Sequence, residues 1–385
     1  MVRDEYNDGL SAKDRVLLEG TFTRILDYLA SKNDREVPLA TIHSAKDLYD
    51  VMDLSVSDSG VDVETLLADI DAYLQHSVKT SHPHFMNPFW GGPPASSLAG
   101  EFISALTNTS MYTFEIAPVA TLIEQEMVNL MAKFAGYQNG EGTFTSGGSN
   151  GNLIGLLCAR DHKFPNAKFS GFTKTPVAFV SSESHYSVEI AANTLGIGTD
   201  NLIAVESDHQ GKMCINSLKR KIAEQKGEGK IPFCVIATSG TTVKGAFDPL
   251  PEIAEICAQE NIWLHVDAAW GGAALLSPET RNLMQGIEYS NSFCWDPHKM
   301  MGMPISCSVF LVNKSGTLKD VCSHSSSAHY LLHKKNAELD MGRMSLQCAR
   351  RVDALKLWLT WRSIGNQGWA DKIENYMSLA AYLTN

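Results

Sequence analysis

The chain has 385 residues, of which 44% are hydrophobic and 19% charged, and its formal net charge is −11. This length is sufficient for a large buried core, and the acidic balance argues against nucleic-acid binding, which requires a basic surface. The first residues lack the apolar core of a signal peptide and no apolar stretch is long enough to span a bilayer, so we expect a cytoplasmic protein without a membrane partner.

The first hundred residues are typical of helices joined by irregular connectors. Apolar residues recur at helical spacing in 16–29 and again in 63–74. A loop rich in proline, glycine and aromatic residues follows at 82–94. We therefore assign residues 1–100 to an N-terminal helical segment that includes this loop.

From about residue 140 the pattern alternates between short apolar strands and helices. Before it, a helix is expected to begin at Pro118 and to stop at Gly136. Further on, one helix should cover Asn216–Gln225, and another should open with Asp248 as N-cap and Pro249 in its first turn. The alternation predicts an α/β fold with a mainly parallel sheet flanked by helices and with ligands at the carboxyl ends of the strands. The candidate strands are Pro176–Ser181, Leu202–Glu206, Phe233–Thr238, Trp263–Asp267, Ser292–Trp295 and Ser308–Val312.

Two segments could bind a phosphorylated, flat ligand. The glycine-rich run Phe144–Asn152 precedes an apolar helical stretch, and glycine N–H groups at a helix N-terminus suit a phosphate. A plain loop that caps the helix is the alternative. His185 follows the strand that ends at Ser181, where it could stack on a flat ring or serve as a structural histidine.

Asp267 and Lys299 are the most informative pair in the chain. Asp267 ends an apolar strand and is followed by small residues, so a buried carboxylate here needs a cationic or hydrogen-bonding partner. Lys299 lies in the apolar run Trp295–Gly302. A lysine that forms a Schiff base with pyridoxal 5'-phosphate (PLP), with an aspartate that keeps the pyridine nitrogen protonated, is the pairing that a PLP enzyme needs. The alternatives are a surface lysine for Lys299 and an N-cap or a structural salt bridge for Asp267.

Several other polar residues carry weaker signals. His298, beside the lysine, could contact the phosphate or cap its loop, and the Thr241-Thr242 hydroxyls could bond cofactor oxygens or form a turn. The pairs His82/His84 and His329/His333 have spacing compatible with a metal but come without a third ligand, so no metal is predicted. The eight cysteines are scattered, which favours reduced thiols.

Taken in this order, the segments resemble the group II PLP-dependent amino-acid decarboxylases, in particular the glutamate and cysteine sulfinate decarboxylase branch. The resemblance covers roughly residues 80 to 385. It implies the PLP-dependent transferase fold type I, with a seven-stranded, mostly parallel sheet in a large domain at 101–360 and the start of a C-terminal region at 361–385. The matching stretches are Asn108–Val119, Ser184–Ser187, Gly240–Pro249, Leu264–Gly272 and Asp296–Gly302.

The resemblance also implies roles for individual residues. Lys299 would bind the cofactor covalently, Asp267 would pair with the pyridine nitrogen, and His185 would stack on the ring. Tyr330 matches a mobile-loop tyrosine that returns a proton, and members of the family are homodimers with shared active sites. Further cofactor contacts are implied for Gly148, Ser149, Thr242, Ala269 and His298, and substrate contacts for Asn87 and Phe89.

The expected reaction is PLP-dependent decarboxylation of a small acidic L-amino acid, namely aspartate, cysteine sulfinate or glutamate, to the primary amine and carbon dioxide. One alternative is an aromatic amino-acid decarboxylase or another PLP lyase on the same scaffold. A second alternative is an inactive, truncated PLP-binding dimer.

Three departures from the family pattern bear on this expectation. The substrate loop has Asn87-Pro88 where relatives often have Asn-Gln, and Asp296 stands where asparagine is usual, adding negative charge beside the phosphate. The small C-terminal domain, which supplies an arginine for the substrate α-carboxylate, is expected to be absent. If the chain is active as it stands, the nearest candidates for that role are Arg343, Arg350 and Arg351.

Overall fold

The computed structural model describes residues 9–41, 44–87, 89–322 and 338–384. The chain divides into two compact units, Met1–Gly92 and Pro93–Asn385. The division falls inside the proline- and glycine-rich stretch that the sequence predicted at 82–94. Within the described ranges, no helix is both long and apolar enough to cross a bilayer.

Among its described residues, the first unit contains three α-helices, α1 (Ala12–Ala30), α2 (Ala45–Val51) and α3 (Val63–His76). Arg24 on α1 donates to both carboxylate oxygens of Asp71 on α3, at 2.7 and 2.8 Å. A Cβ atom on Gly20 would lie 2.9 Å from Leu67 Cδ1, so the glycine permits α1 to approach α3 closely. The sequence predicted a helical segment at 1–100, and the described part of this unit is helical, whereas the unit itself ends at Gly92.

The second unit is built on a sheet whose strands, in chain order, are β1 (Glu141–Thr145), β2 (Pro176–Ser181), β3 (Leu202–Val205), β4 (Ile231–Thr238), β5 (Trp263–Asp267), β6 (Ser292–Trp295) and β7 (Ser308–Val312). Their spatial order is β1-β7-β6-β5-β4-β2-β3. From β3 to β6 neighbouring strands are parallel, whereas β7 runs antiparallel to both β6 and β1. The predicted seven-stranded, mostly parallel sheet is confirmed.

The sheet is buried on both faces, which explains why most strands were readable from the sequence. In β2, Val177 and Phe179 pack in one apolar cluster, and the alternate residues Ala178 and Val180 pack in the other. A strand covered on both sides has a continuous apolar sequence. β1 was missed because it contains two threonines, a glycine and a glutamate and lacks such a run.

The helices of the second unit cover both faces of the sheet. The helix predicted from Pro118 begins there and ends at Phe134, two residues before the predicted stop at Gly136. The helix predicted at Asn216–Gln225 is one residue longer at its start and two longer at its end. The helices are α4 (Ala95–Thr107), α5 (Pro118–Phe134), α6 (Gly148–Lys163), α7 (Ala167–Ser170), α8 (Ser187–Thr194), α9 (Ile215–Gly227), α10 (Leu250–Glu260), α11 (Thr317–Cys322) and α12 (Asp353–Thr384), which is interrupted at Gly365.

The predicted N-cap at Asp248 is wrong. α10 begins at Leu250, Pro249 occupies the cap position, and no side chain caps the helix. The Asp248 carboxylate is instead buried and accepts from the backbone N–H groups of Met213 and Thr238, each at 2.7 Å. Buried N–H groups need an acceptor, and this need outweighs capping of an accessible helix end.

Helix α6 lies unusually close to the sheet because glycines face it. A Cβ atom on Gly151 would lie 2.6 Å from Cβ of Cys294, and one on Gly155 would lie 2.6 Å from Cε1 of His265. Neither position can carry a side chain without displacing its neighbour. This close approach positions the first turn of α6 at the carboxyl ends of β5 and β6.

We predict that Gly155→Ala destabilises the protein by about 1–3 kcal/mol, because the added methyl overlaps the imidazole of His265. Gly227→Ala is the matched control, since a Cβ there meets nothing within 4 Å. The control should be neutral or gain about 0.5 kcal/mol from helix propensity. Urea unfolding of the two variants measures the difference, and equal stabilities would contradict the close packing of α6.

Candidate active site

The candidate active site lies where the parallel strands end. There α6 begins at Gly148 and β5 ends at Asp267. The Gly148 N–H donates to Asp296 Oδ2 at 3.2 Å, and Lys299 Nζ lies 3.4 Å from the same oxygen. A Cβ atom on Gly148 would lie 3.0 Å from Cβ of Ala269, the second residue after Asp267. The fold therefore brings together the glycine-rich run, the end of β5 and the lysine loop.

The carboxylate of Asp267 is buried among neutral donors. Asn152 Nδ2 donates to Oδ2 at 2.8 Å, and the Ala269 N–H donates to Oδ1 at 3.1 Å. The Cys294 thiol, whose pKa burial raises well above its usual value, lies 3.5 Å from Oδ1. In the part of the chain that the structure describes, no lysine or arginine forms an ion pair with Asp267. A buried carboxylate so placed suits a cationic ligand group.

The orientation of the Asn152 amide follows from this carboxylate. Because a carboxylate can only accept, the Asn152 NH2 group must point to Asp267. The same nitrogen donates to Ser187 Oγ at 2.9 Å. The amide oxygen then faces His265 Nε2 at 3.0 Å, so this histidine nitrogen must carry a proton.

His265 continues the network into the interior of the sheet. Its side chain is fully buried, and this burial lowers its pKa to about 4, so the ring is neutral at pH 7. With the proton on Nε2, Nδ1 accepts from Ser292 Oγ at 2.9 Å. Ser292 Oγ in turn accepts from the Trp263 indole N–H at 2.9 Å. Every polar atom of this buried chain thus has a defined donor or acceptor role.

His185 is joined to the same network from the other side. Its Nδ1 lies 2.9 Å from Ser187 Oγ. Because Ser187 Oγ accepts from Asn152, the serine hydroxyl hydrogen is available to donate to His185 Nδ1. Burial lowers the pKa of His185, although the nearby Asp267 opposes this shift. The neutral ring therefore carries its proton on Nε2.

The lysine loop is held by backbone and side-chain contacts. The Lys299 N–H donates to the Asp296 carbonyl at 2.9 Å, and its side chain is one quarter exposed, so a ligand can reach the amine. His298 is buried, with Nδ1 2.7 Å from the Cys307 carbonyl oxygen and Nε2 3.5 Å from Asp296 Oδ2. The imidazole of His298 and the amine of Lys299 therefore both lie near the same oxygen, Oδ2 of Asp296.

Two other predicted cofactor residues lie on exposed backbone segments. Ser149 is the second residue of α6 and is exposed. Thr242 is exposed in the turn after β4, whereas the hydroxyl of the buried Thr241 accepts from the Ala246 N–H at 3.0 Å. The side chain of Thr241 thus has a role in the turn, and that of Thr242 is free to meet a ligand.

The remaining predicted residues are not brought to this site by described contacts. Tyr330 lies outside the described residues. Asn87 and Phe89 belong to the first unit, where Asn87 Oδ1 accepts from the N–H groups of Phe89 and Trp90 at 2.8 and 3.3 Å. Their predicted substrate contacts stay a prediction. Over the described ranges, no group of three His, Cys, Asp or Glu side chains could hold a metal ion.

Two residues that support the site, Asn152 and His265, were not predicted from the sequence. Asn152 stands within the glycine-rich run, one helical turn after Gly148. The sequence alone does not show that this position lies beside the end of β5. His265 precedes Asp267 by two residues, and strand alternation puts such a pair on one face of the sheet. That spacing was the available signal for the pairing of His265 with α6.

Two of the three arginines proposed from the sequence, Arg350 and Arg351, already have acidic partners. Arg350 donates to both oxygens of the fully buried Glu124, at 3.0 and 3.1 Å. Arg351 pairs with Glu101 at 2.7 Å. Arg350 also donates to the carbonyl oxygen of Phe144, the first residue of the glycine-rich run, at 3.1 Å. Its contacts make Arg350 a structural cation.

Known proteins resemble this chain along most of its length. Residues 46–385 match the family model described as the pyridoxal-dependent decarboxylase conserved domain. The chain is 39% identical to cysteine sulfinic acid decarboxylase of Rattus norvegicus, over 98% of this chain and 77% of the relative. It is also 39% identical to glutamate decarboxylase of Drosophila melanogaster, over 93% of this chain and 71% of the relative.

Among solved structures, that of mouse CSAD superposes with a TM-score of 0.92 at 37% identity, over 96% of this chain and 78% of that one. The fold, the cofactor and the amino-acid decarboxylase class predicted from the sequence are confirmed by these matches. The chain belongs to the pyridoxal-dependent decarboxylase family.

Proposed function

We propose that the protein decarboxylates a small acidic L-amino acid, namely aspartate, cysteine sulfinate or glutamate, to the primary amine and carbon dioxide. The observation that carries the proposal is the buried Asp267 carboxylate, held by neutral donors at the sheet edge that also bears Lys299. An acidic substrate is supported by the relatives, which are named for cysteine sulfinic acid and glutamate.

The residues at the site fit PLP. Asp267 lacks a cationic partner among the described residues and would meet the pyridine nitrogen. The first turn of α6 offers backbone N–H groups at the positive end of a 16-residue helix, which suits a phosphate. At Gly148 any Cβ would lie 2.8 Å from Asp296 Oδ2, so only glycine fits at this turn. We assign the phosphate to Gly148, Ser149 and His298, the ring to His185, Ala269 and Thr242, and covalent attachment to Lys299.

The residues of the chain divide the chemistry among them. When bound, PLP supplies an aldehyde for the lysine and an electron-accepting ring that takes up the charge left as carbon dioxide departs. Asp267 holds a proton on the ring nitrogen, and Asn152 keeps the carboxylate oriented for this. Lys299 would supply the amine that holds the cofactor in the absence of substrate. The neutral His185, with its proton on Nε2, or Tyr330 returns a proton to Cα.

A panel of amino acids tests the proposed substrate class. Purified protein loaded with PLP should release carbon dioxide from aspartate, cysteine sulfinate or glutamate at least about tenfold faster than from tyrosine or tryptophan. Release from the aromatic amino acids alone would contradict an acidic substrate while leaving the cofactor assignment intact.

We further propose a cytoplasmic homodimer with shared active sites. Support comes from large apolar side chains exposed along α4, α5 and the segment between them, because apolar patches of this kind commonly mark interfaces. The exposed apolar side chains are Ile103, Leu106, Ile116, Val119 and Leu122. Light scattering would measure the mass of the protein in solution.

We predict that Lys299→Ala abolishes covalent attachment of PLP and leaves the fold intact, because the amine is lost while the surrounding contacts remain. Borohydride reduction followed by peptide mapping is the measurement. Lys314→Ala, at an exposed lysine beyond β7, is the control and should keep the labelled peptide. A label on any lysine other than Lys299 would disprove the assignment.

We predict that Asp267→Asn impairs turnover more than folding. A neutral amide cannot hold the ring nitrogen protonated, which should cost several kcal/mol in the barrier, or about a hundredfold or more in rate. The new NH2 group would also face that of Asn152. Steady-state rates and circular dichroism measure the two effects, and near-normal turnover would rule out this role for Asp267.

We predict that Asn152→Ala weakens PLP binding by about tenfold or more, because Asp267 loses its donor on Oδ2 and a hydrogen bond to a charged group is worth about 1.5–3 kcal/mol. Asn150→Ala is the control on the same helix. The Asn150 amide oxygen accepts from Gln347 Nε2, so its described contact is not with Asp267. Fluorescence titration with PLP compares both variants with the parent protein. Equal affinities for all three would show that Asn152 does not position Asp267.

A further inference from the structure

Asp296 is a buried carboxylate at the start of α6 to which the proposed reaction assigns no role. Its side chain is 1% exposed. Oδ1 accepts from the Ser308 hydroxyl at 2.5 Å, and Oδ2 accepts from the Gly148 N–H at 3.2 Å. Lys299 Nζ and His298 Nε2 lie 3.4 and 3.5 Å from Oδ2. One carboxylate therefore contacts the groups that would otherwise serve a phosphate and an aldehyde.

These contacts make Asp296 a competitor of a bound phosphate. The Gly148 N–H belongs to the first residue of α6, where a helix offers its partial positive charge to an anion. The carboxylate already takes up this donor and faces the imidazole of His298. Because Ser308, on β7, holds the other oxygen and the side chain is buried, Asp296 cannot turn away into water when a second anion arrives.

We propose that Asp296 is an affinity-setting residue that weakens the hold of this site on the phosphate group of its cofactor and keeps the cofactor exchangeable. The inference rests on the proposed assignment of the phosphate to the first turn of α6. A fixed negative charge beside a phosphate monoester repels it, and the repulsion is strong where water is largely excluded. Neutralising this carboxylate therefore tightens binding of the phosphorylated ligand.

The effect on the phosphate can be separated from the effect on Lys299. PLP and pyridoxal share the ring and the aldehyde, and pyridoxal lacks the phosphate. A change that acts through the amine of Lys299 alters the affinity for both ligands alike. A change that acts on the phosphate alters the affinity for PLP alone, so the ratio of the two dissociation constants isolates it.

The test uses Asp296→Asn in the full chain, freed of cofactor and titrated with PLP and with pyridoxal. Asparagine can still accept from Ser308. Asp161→Asn is the matched control, because it removes one negative charge at the opposite end of the same helix, about 20 Å away at 1.5 Å per residue. The Asp161 side chain is also largely buried, at 9% exposed.

We expect Asp296→Asn to bind PLP about tenfold more tightly and pyridoxal with nearly unchanged affinity, whereas Asp161→Asn matches the parent protein for both. An equal gain for both ligands would overturn the proposal, because the carboxylate would then act through Lys299. Weaker PLP binding would also overturn it and make Asp296 a structural support of α6. If the parent protein and both variants bind no PLP, the proposed cofactor site itself fails, which is a separate result.

A second measurement keeps the proposal testable if asparagine is not tolerated at this position. Asp296→Ser removes the charge and retains a small hydroxyl. Inorganic phosphate should then raise the melting temperature of the cofactor-free Asp296→Ser protein and should leave that of the parent protein nearly unchanged at the same concentration. An equal rise in both proteins would overturn the proposed repulsion.

Discussion

The carboxylate of Asp267, buried at the end of β5, is the constraint on which the site depends. A buried charge must be hydrogen-bonded, and its donors here are the neutral groups of Asn152, Ala269 and Cys294. Asn152 can reach it only because α6 lies directly on the sheet. The glycine at Gly155 makes that approach possible, so a packing feature in the middle of the helix determines the electrostatics at its end.

The same charge sets the direction of every hydrogen bond around it. The Asn152 NH2 group must point to Asp267, and the amide oxygen must then accept a hydrogen bond from the Nε2–H group of His265. Ser187 accepts from the same amide, which leaves its own hydrogen for Nδ1 of His185. The proton positions on two neutral histidines, His265 on β5 and His185 in the loop after β2, therefore follow from one ionised group. Such a chain fixes the ring orientation of His185 without any charge of its own.

The sequence predicted the parts of the molecule that depend on local pattern. β5 and β6 are mostly apolar and have the predicted bounds, and Lys299 stood out because it lies in a mostly apolar run. The sequence did not predict β1, whose polar residues are covered only by tertiary contacts. It assigned Asp248 to a helix cap because local spacing does not reveal the backbone N–H groups that this residue meets across the fold. The role of Asn152 was missed for the same reason, since Asp267 and His265 lie more than a hundred residues away along the chain.

The two buried carboxylates divide the site by charge. Asp267 lies among neutral donors and lacks a cation among the described residues, so this end favours a protonated ring nitrogen. Asp296 pairs with Lys299 and also accepts from the Gly148 N–H at the positive end of α6. The proposed phosphate end of the site therefore already contains an anion. A cofactor with a cationic ring and an anionic phosphate group matches the end at Asp267 fully. It matches the end at Asp296 only in part. Orientation of the cofactor is therefore determined chiefly by Asp267, while Asp296 leaves the phosphate end more weakly bound.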